Sequence, residues 1–181
     1  MPTVKGIIER VDGHVFDTVL FQGGHCLLFA VPVGQIALCA DGPRMKGWTD
    51  TNMVHCGQLP APQRILVNEI TAAVLRDKTI VPLSDPIYRD TSIELSVGMK
   101  SYGRYALWQI ADPKAVVLGK ETRDQAIEAI DEFAKGASKL AEPIQIEQLE
   151  CFSVEAYHDG VIDPPVELYV SLRGLLFRAV Q

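Results

Sequence analysis

Nine consecutive residues, Thr91-Ser-Ile-Glu-Leu-Ser-Val-Gly-Met99, place Ile93, Leu95, Val97 and Met99 at every second position, with Ser92, Glu94, Ser96 and Gly98 between them. A period of two fits a strand with one face in a core and one in water, and no helix accommodates it. The same pattern returns near the C-terminus. There Val166, Leu168, Val170 and Leu172 alternate with Glu167, Tyr169, Ser171 and Arg173 before the chain runs into Gly174-Leu-Leu-Phe-Arg178. That segment predicts a long strand, bulged or bent at Gly174.

Shorter β-patterned runs lie at Val15–Phe21, Cys26–Val31, Gln35–Cys39, Arg64–Leu75, Tyr102–Ile110, Ala115–Leu118 and Ile144–Tyr157, the last readable as two segments. Turn-forming clusters separate them: Gln22-Gly-Gly24, Asp41-Gly-Pro43, Leu59-Pro-Ala-Pro62, Asp85-Pro86, His158-Asp-Gly160 and Asp163-Pro-Pro165. Eight or nine strands in one chain match the range of sandwiches and jelly rolls. One amphipathic helix is predicted at about 122–135. It opens on a capping box, Thr122-Arg-Asp-Gln125, and carries an apolar stripe of Ala126, Ile127, Ile130, Phe133, Ala134 and Ala137. The expected fold is therefore mostly β, an antiparallel β-sandwich with that helix packed on a sheet or plugging its end. At 181 residues, with no break resembling an interdomain linker, the chain reads as a single domain, 1–181.

Charge and composition narrow the function. Acidic residues outnumber basic ones by 23 to 17, giving a formal charge of −6, and no Arg/Lys run occurs, so no direct nucleic-acid partner is expected. Cys26–Val33, interrupted by Pro32, is the most apolar stretch and is too short to cross a bilayer, and the N-terminus lacks a secretion-signal pattern. The chain is expected to be soluble and made in the cytoplasm. Its four cysteines, at 26, 39, 56 and 151, show no C-x-x-C spacing and read as reduced thiols. Hydrophobic residues reach 48%, which favours burial of apolar surface between subunits.

A search for chemistry returns little. The dipeptides His25-Cys26 and His55-Cys56, with Cys39 between them and His158 distant, contain zinc-type ligands. Adjacent side chains on a strand point to opposite faces, so each dipeptide could offer one ligand, and the preferred reading is buried thiols with histidines at strand ends. Glu147, Glu150 and Glu155 read as acids on a wet face. Gly23-Gly24 lacks the remainder of any phosphate-binding loop and reads as a turn, and there is no G-x-S-x-G elbow. Trp48, Trp108 and the tyrosines are not interleaved with clustered cations and are expected in the core or at interfaces. No catalytic, cofactor-binding or metal-binding residue is assigned; an enzyme, a cofactor and a small-molecule substrate are not expected.

The segment Thr51-Asn-Met-Val-His-Cys-Gly-Gln-Leu-Pro-Ala-Pro-Gln-Arg-Ile65 resembles one in the jelly-roll capsid proteins of bacteriophages, where T-N-M and G-Q-L-P-x-P-Q lead into the first strand of the roll. Ser92–Trp108, with Gly98-Met-Lys-Ser-Tyr102 as a G-x-K-x-Y-like element, Leu140–Val154, and the closing Val170–Gln181 follow in the matching order. The resemblance spans roughly the last two-thirds of the chain. It implies a single jelly roll serving as a coat or minor shell subunit of a virion, a structural protein with no catalytic residues to carry over. The expected partners are copies of itself and other virion proteins, and the expected location is the virion. Residues 1–50, outside the resemblance, are expected to form an N-terminal arm or an added hairpin. Leu59–Pro62, Ile80–Arg89 and Asp159–Pro165 are candidate interface loops. The other classes weighed are a cupin-like metal-binding β-barrel enzyme, for which the H-x-H pair is missing, and a carbohydrate-binding β-sandwich, for which aromatics at 7% are few.

Overall fold

A computed structural model describes residues 8–77, 79–111 and 139–179. Of these, 70% lie in strands and 6% in helix, and the sheets are antiparallel, an architecture consistent with a β-sandwich. In chain order the elements are β1 (Ile8–Leu28), β2 (Ile36–Cys39), β3 (Gly42–Met45), β4 (Arg64–Arg76), β5 (Thr79–Ile80), α1 (Pro86–Asp90), β6 (Thr91–Val97), β7 (Lys100–Ala106), α2 (Leu107–Ile110), β8 (Lys139–Ile146) and β9 (Phe152–Ala179). The helix expected at about 122–135 and the strand expected at Ala115–Leu118 lie outside the described residues.

β9 organises the larger sheet. Along one edge it pairs with β1 from Leu28↔Val154 to Ile8↔Ala179. Two strands share its other edge: β6 beside Phe152–His158 and β4 beside Glu167–Phe177. β7 lies outside β6, while β8 and β5 lie outside β4. β2 and β3 form a separate two-stranded sheet.

The β1/β9 ribbon is too long to stay regular, and its irregularities fall where glycine permits close backbone approach. Between Phe21↔Val166 and Gly24↔His158 the register slips twice. Gly23 lies in the slip with φ +89, and a Cβ there would stand 2.0 Å from the Gly160 carbonyl oxygen. The Gly-Gly pair is thus a bulge within one strand, where the sequence suggested a turn between two. The Asp163-Pro-Pro165 cluster likewise lies inside β9, with a cis Asp163–Pro164 bond. A further irregularity lies in the β4/β9 pairing, where β4 bulges between Val67 and Glu69, opposite Gly174. A Cβ on Gly174 would stand 1.9 Å from the Leu66 carbonyl oxygen. Gly174→Val is therefore expected to force β4 and β9 apart and to destabilise the protein by about 3 kcal/mol or more, within the range of strained and overpacked substitutions. Denaturant unfolding of the purified variant measures it, and an unchanged midpoint would refute the close approach.

The core follows the alternation. Ile93, Leu95 and Val97 of β6, Val154 and Ala156 of β9, and Val166, Leu168, Val170 and Leu172 further along β9 are buried, together with Ile65, Val67, Ile70, Ala72 and Val74 of β4. Met99 departs from the expected pattern and is fully exposed, because Gly98 takes φ +58 and turns the chain into β7. β7 also ends sooner than the Tyr102–Ile110 run suggested, and the chain makes one helical turn at Leu107–Ile110 in which the Gln109 side-chain oxygen accepts the Ala106 amide at 3.1 Å. α1 is capped by Asp85, which accepts the Ile87 amide at 3.0 Å, and Tyr88 from this helix reaches into the core. The Tyr88 hydroxyl donates to the Val81 carbonyl at 3.0 Å and accepts from the Val74 amide at 3.2 Å, which satisfies it and fixes the loop after β4.

Candidate functional site

The zinc-type residues scatter. His25 stands on the wet face of β1, where Nε2 lies 2.8 Å from Glu155 Oε2 and the ring stacks on Tyr157 with centroids 5.0 Å apart. Cys26, its neighbour, turns inward, and burial pushes its thiol pKa up, with the Asp17 carboxylate adding to the effect. Cys39 is buried at the end of β2, and burial also raises its pKa. His55 and Cys56 are exposed beside the turn closed by the His55↔Gln58 bridge, and His158 Nδ1 accepts the Gly160 amide at 2.9 Å. Among the described residues no group of three or more His, Cys, Asp or Glu side chains converges closely enough for an ion.

The wet face of the β1–β9–β6–β7 half carries a polar ladder. The Tyr157 hydroxyl donates to Glu155 at 2.6 Å and, with His25, holds that carboxyl below the usual carboxylate range. Ser101 donates to Glu94 at 2.6 Å and Arg104 to the same group at 3.2 Å, lowering it likewise. The Arg104 guanidinium also sits 4.0 Å from the centre of the Tyr157 ring. The Tyr157 ring is thus in contact with both His25 and Arg104. Arg104 meets the Glu94 carboxylate, and the Ser101 and Tyr157 hydroxyls each donate to a carboxylate, which describes a solvated sheet surface braced by cross-strand pairs.

Two open clefts border the sheet. One, of about 430 Å³, lies at the β4 bulge and is lined by Asp12, His14, Asn68, Glu69 and Arg173. Partial burial and the nearby Arg173 charge lower the His14 pKa. The other, of about 770 Å³, lies between α1 and the β9 bend, lined by Arg89, Asp90, Ser92, Arg104, His158 and Asp159. Its cations are engaged: Arg89 with Asp90 at 2.9 Å and Arg104 with Glu94.

The loops expected at interfaces differ in what they present. In Leu59–Pro62 the leucine is buried and Ala61 and Pro62 are exposed; in the 80–89 loop Ile87 and Tyr88 are core, leaving Pro82, Ser84, Pro86 and Arg89 outside. In Asp159–Pro165, Ile162 is buried and Val161 is exposed.

Among the described residues, a cluster of exposed apolar side chains lies elsewhere, on the β2–β3 hairpin. Ile36 pairs with Met45 and Leu38 with Pro43, so all four side chains share one face. That face points to solvent: Ile36 is 70% exposed, Met45 65% and Leu38 55%, and Trp48, three residues beyond the hairpin, is 65% exposed. The hairpin is not loosely hung. Arg44, between these residues, grips Asp50 through two nitrogens at 2.6 and 2.8 Å and Asp41 at 2.9 Å, which lowers the Asp50 pKa. One residue past β3, Lys46 enters the core and meets Asp17 of β1, Nζ to Oδ1 at 2.5 Å, and its backbone amide and carbonyl bond Gln35 and Gly34. Sequence reasoning identified the strand Gln35–Cys39 but assigned no outward apolar face to it.

Comparison with family models, with curated proteins and with solved structures gave no match.

Proposed function

We propose that this chain is a structural subunit of a virus particle, a single jelly roll that assembles with copies of itself and with other virion proteins through surface contacts, and that it performs no catalysis. The mostly β, antiparallel architecture supports this reading, as does the sequence resemblance described above. The single observation that carries it is the hairpin face of Ile36, Leu38, Pro43 and Met45. A rigidly anchored apolar face in water is unfavourable for a monomer, and burying each large side chain against a neighbour contributes on the order of 1.5–3 kcal/mol. The proposed neighbour is a second copy.

The test is the double substitution Ile36→Lys with Met45→Asp, which places opposite charges at this cross-strand pair. Both side chains point to solvent, so the unfolding midpoint is expected to shift by less than about 1 kcal/mol. Assembly is expected to fall sharply: size-exclusion chromatography with light scattering should show concentration-dependent oligomers for the parent and monomer for the variant. Unchanged oligomers in the variant would remove this face from the interface. A monomeric parent carrying stoichiometric metal in the same peak would overturn the structural reading in favour of a small metalloenzyme.

A further inference from the structure

The strongest unexplained chemistry is the buried pair Asp17 and Lys46. Asp17 occupies a core position of β1 opposite Val170 and is 0% exposed; Lys46 is 3% exposed. The Lys46 Nζ lies 2.5 Å from Asp17 Oδ1, while the other carboxylate oxygen, Oδ2, accepts the Phe29 backbone amide at 2.6 Å. Phe29, fully buried, holds φ +61, a conformation that costs a phenylalanine on the order of 1 kcal/mol and that directs its N–H onto the carboxylate. Thr51 completes the surroundings. It is buried and bridged to Asp17 through the backbone, and its hydroxyl donates to the Phe16 carbonyl at 3.0 Å. The nearest further carboxylate on this segment, Asp50, is taken up by Arg44.

An amine and a carboxyl group held in contact away from water are the two reactants of an amide. We propose that Lys46 and Asp17 join in an intramolecular isopeptide bond that clips β1 to the segment following β3. In the first step a proton passes from Nζ to Oδ1 across their short contact, leaving an amine beside a carboxylic acid. Burial favours this, since it removes two charges from a medium that solvates neither. The Nζ lone pair then attacks Cγ. Negative charge gathers on Oδ2, where the Phe29 N–H already points, in the manner of an oxyanion hole. The Cγ–Oδ1 bond breaks, and Oδ1 leaves as water with its own proton and one from Nζ. An acid and an amine become an amide and water, with no oxidant or co-reactant required. Contact geometry replaces an activated acyl group, because effective concentrations of held reactants reach on the order of 10⁵–10⁸ M. The amide oxygen keeps its bond from Phe29 while Nζ closes on Cγ as Oδ1 departs.

The test is the intact mass of the purified, denatured full chain, followed by peptide mapping. The expected result is a mass lower than the sequence requires by one water, with the peptides containing Asp17 and Lys46 recovered as one cross-linked species. Lys46→Arg, which keeps a cation but offers no amine for acylation, should restore the full mass. Full mass in the folded parent protein after prolonged incubation would overturn the proposal and leave a simple buried ion pair. A lost water that maps to any other residue would overturn it too. Should Lys46→Arg fail to fold, the parent's peptide map decides alone.

Discussion

Leu95→Asp is expected to abolish cooperative folding. Leu95 is fully buried at the centre of β6, paired with Val154 of β9 and packed in the main core. Removing a buried leucine side chain costs about 2–5 kcal/mol through lost burial and the cavity left behind. A carboxyl in its place adds several kcal/mol, because the core cluster around it is apolar, whether it stays ionised or binds a proton. The combined penalty rivals the whole stability of an ordinary domain, about 5–15 kcal/mol. Ser96→Asp, one residue along and on the wet face, is expected to change stability by less than about 1 kcal/mol. Circular dichroism melts of the two variants test the contrast. A sharp, parent-like transition in Leu95→Asp would mean that β6 does not face the core.

That contrast rests on the part of the fold most legible in the sequence. Strict alternation in Thr91–Val97 and Val166–Arg173 needs only a period of two, and β6 and the C-terminal half of β9 follow it. Legibility failed where local signals have two meanings. Gly23-Gly24 and Asp163-Pro-Pro165 carry the composition of turns, yet both are absorbed as irregularities within strands, because β1 and β9 pair on either side of them. At Gly98-Met99 the alternation outran the strand, since a residue at φ +58 ends β6 just before the next apolar position. Tyr102–Ile110 read as a strand because nothing in its period marks where Ala106 hands over to a helical turn.

The candidate surfaces were less legible still, for a physical reason. Which face of a short strand meets water depends on what packs against it, and Ile36 and Leu38 read like any core pair until β3 is seen to place Met45 and Pro43 beside them, outward. Asp17 did leave a trace. It falls in phase with Val15, Val19 and Phe21, all core-facing, and a carboxylate in an apolar phase requires a buried partner. The partner stands 29 positions away, and only the fold brings it there.

Asp17→Ala is accordingly expected to be the most damaging polar substitution, costing about 3–5 kcal/mol, because it leaves the Lys46 ammonium buried without a counter-charge. It also strips the acceptor from the Phe29 amide in a position already strained. Lys46→Met should cost less, since the methionine fills similar volume and the remaining carboxyl can bind a proton. The pH dependence of that variant fixes the sign. Burial raises the Asp17 pKa and the Lys46 charge opposes the rise, so removing Lys46 lets it climb further. A folded-state carboxyl whose pKa exceeds its unfolded value holds its proton more tightly than the unfolded chain does. Its contribution favours folding at acid pH and is lost as pH rises from about 4 through the folded pKa. Lys46→Met is therefore expected to be most stable near pH 4 relative to the parent and to lose ground steadily toward neutrality. Denaturant midpoints across that range measure it. An equal penalty at every pH would show that Asp17 no longer titrates inside the core, and Asp17→Ala no more harmful than Lys46→Met would show that the lysine escapes to water when its partner is removed.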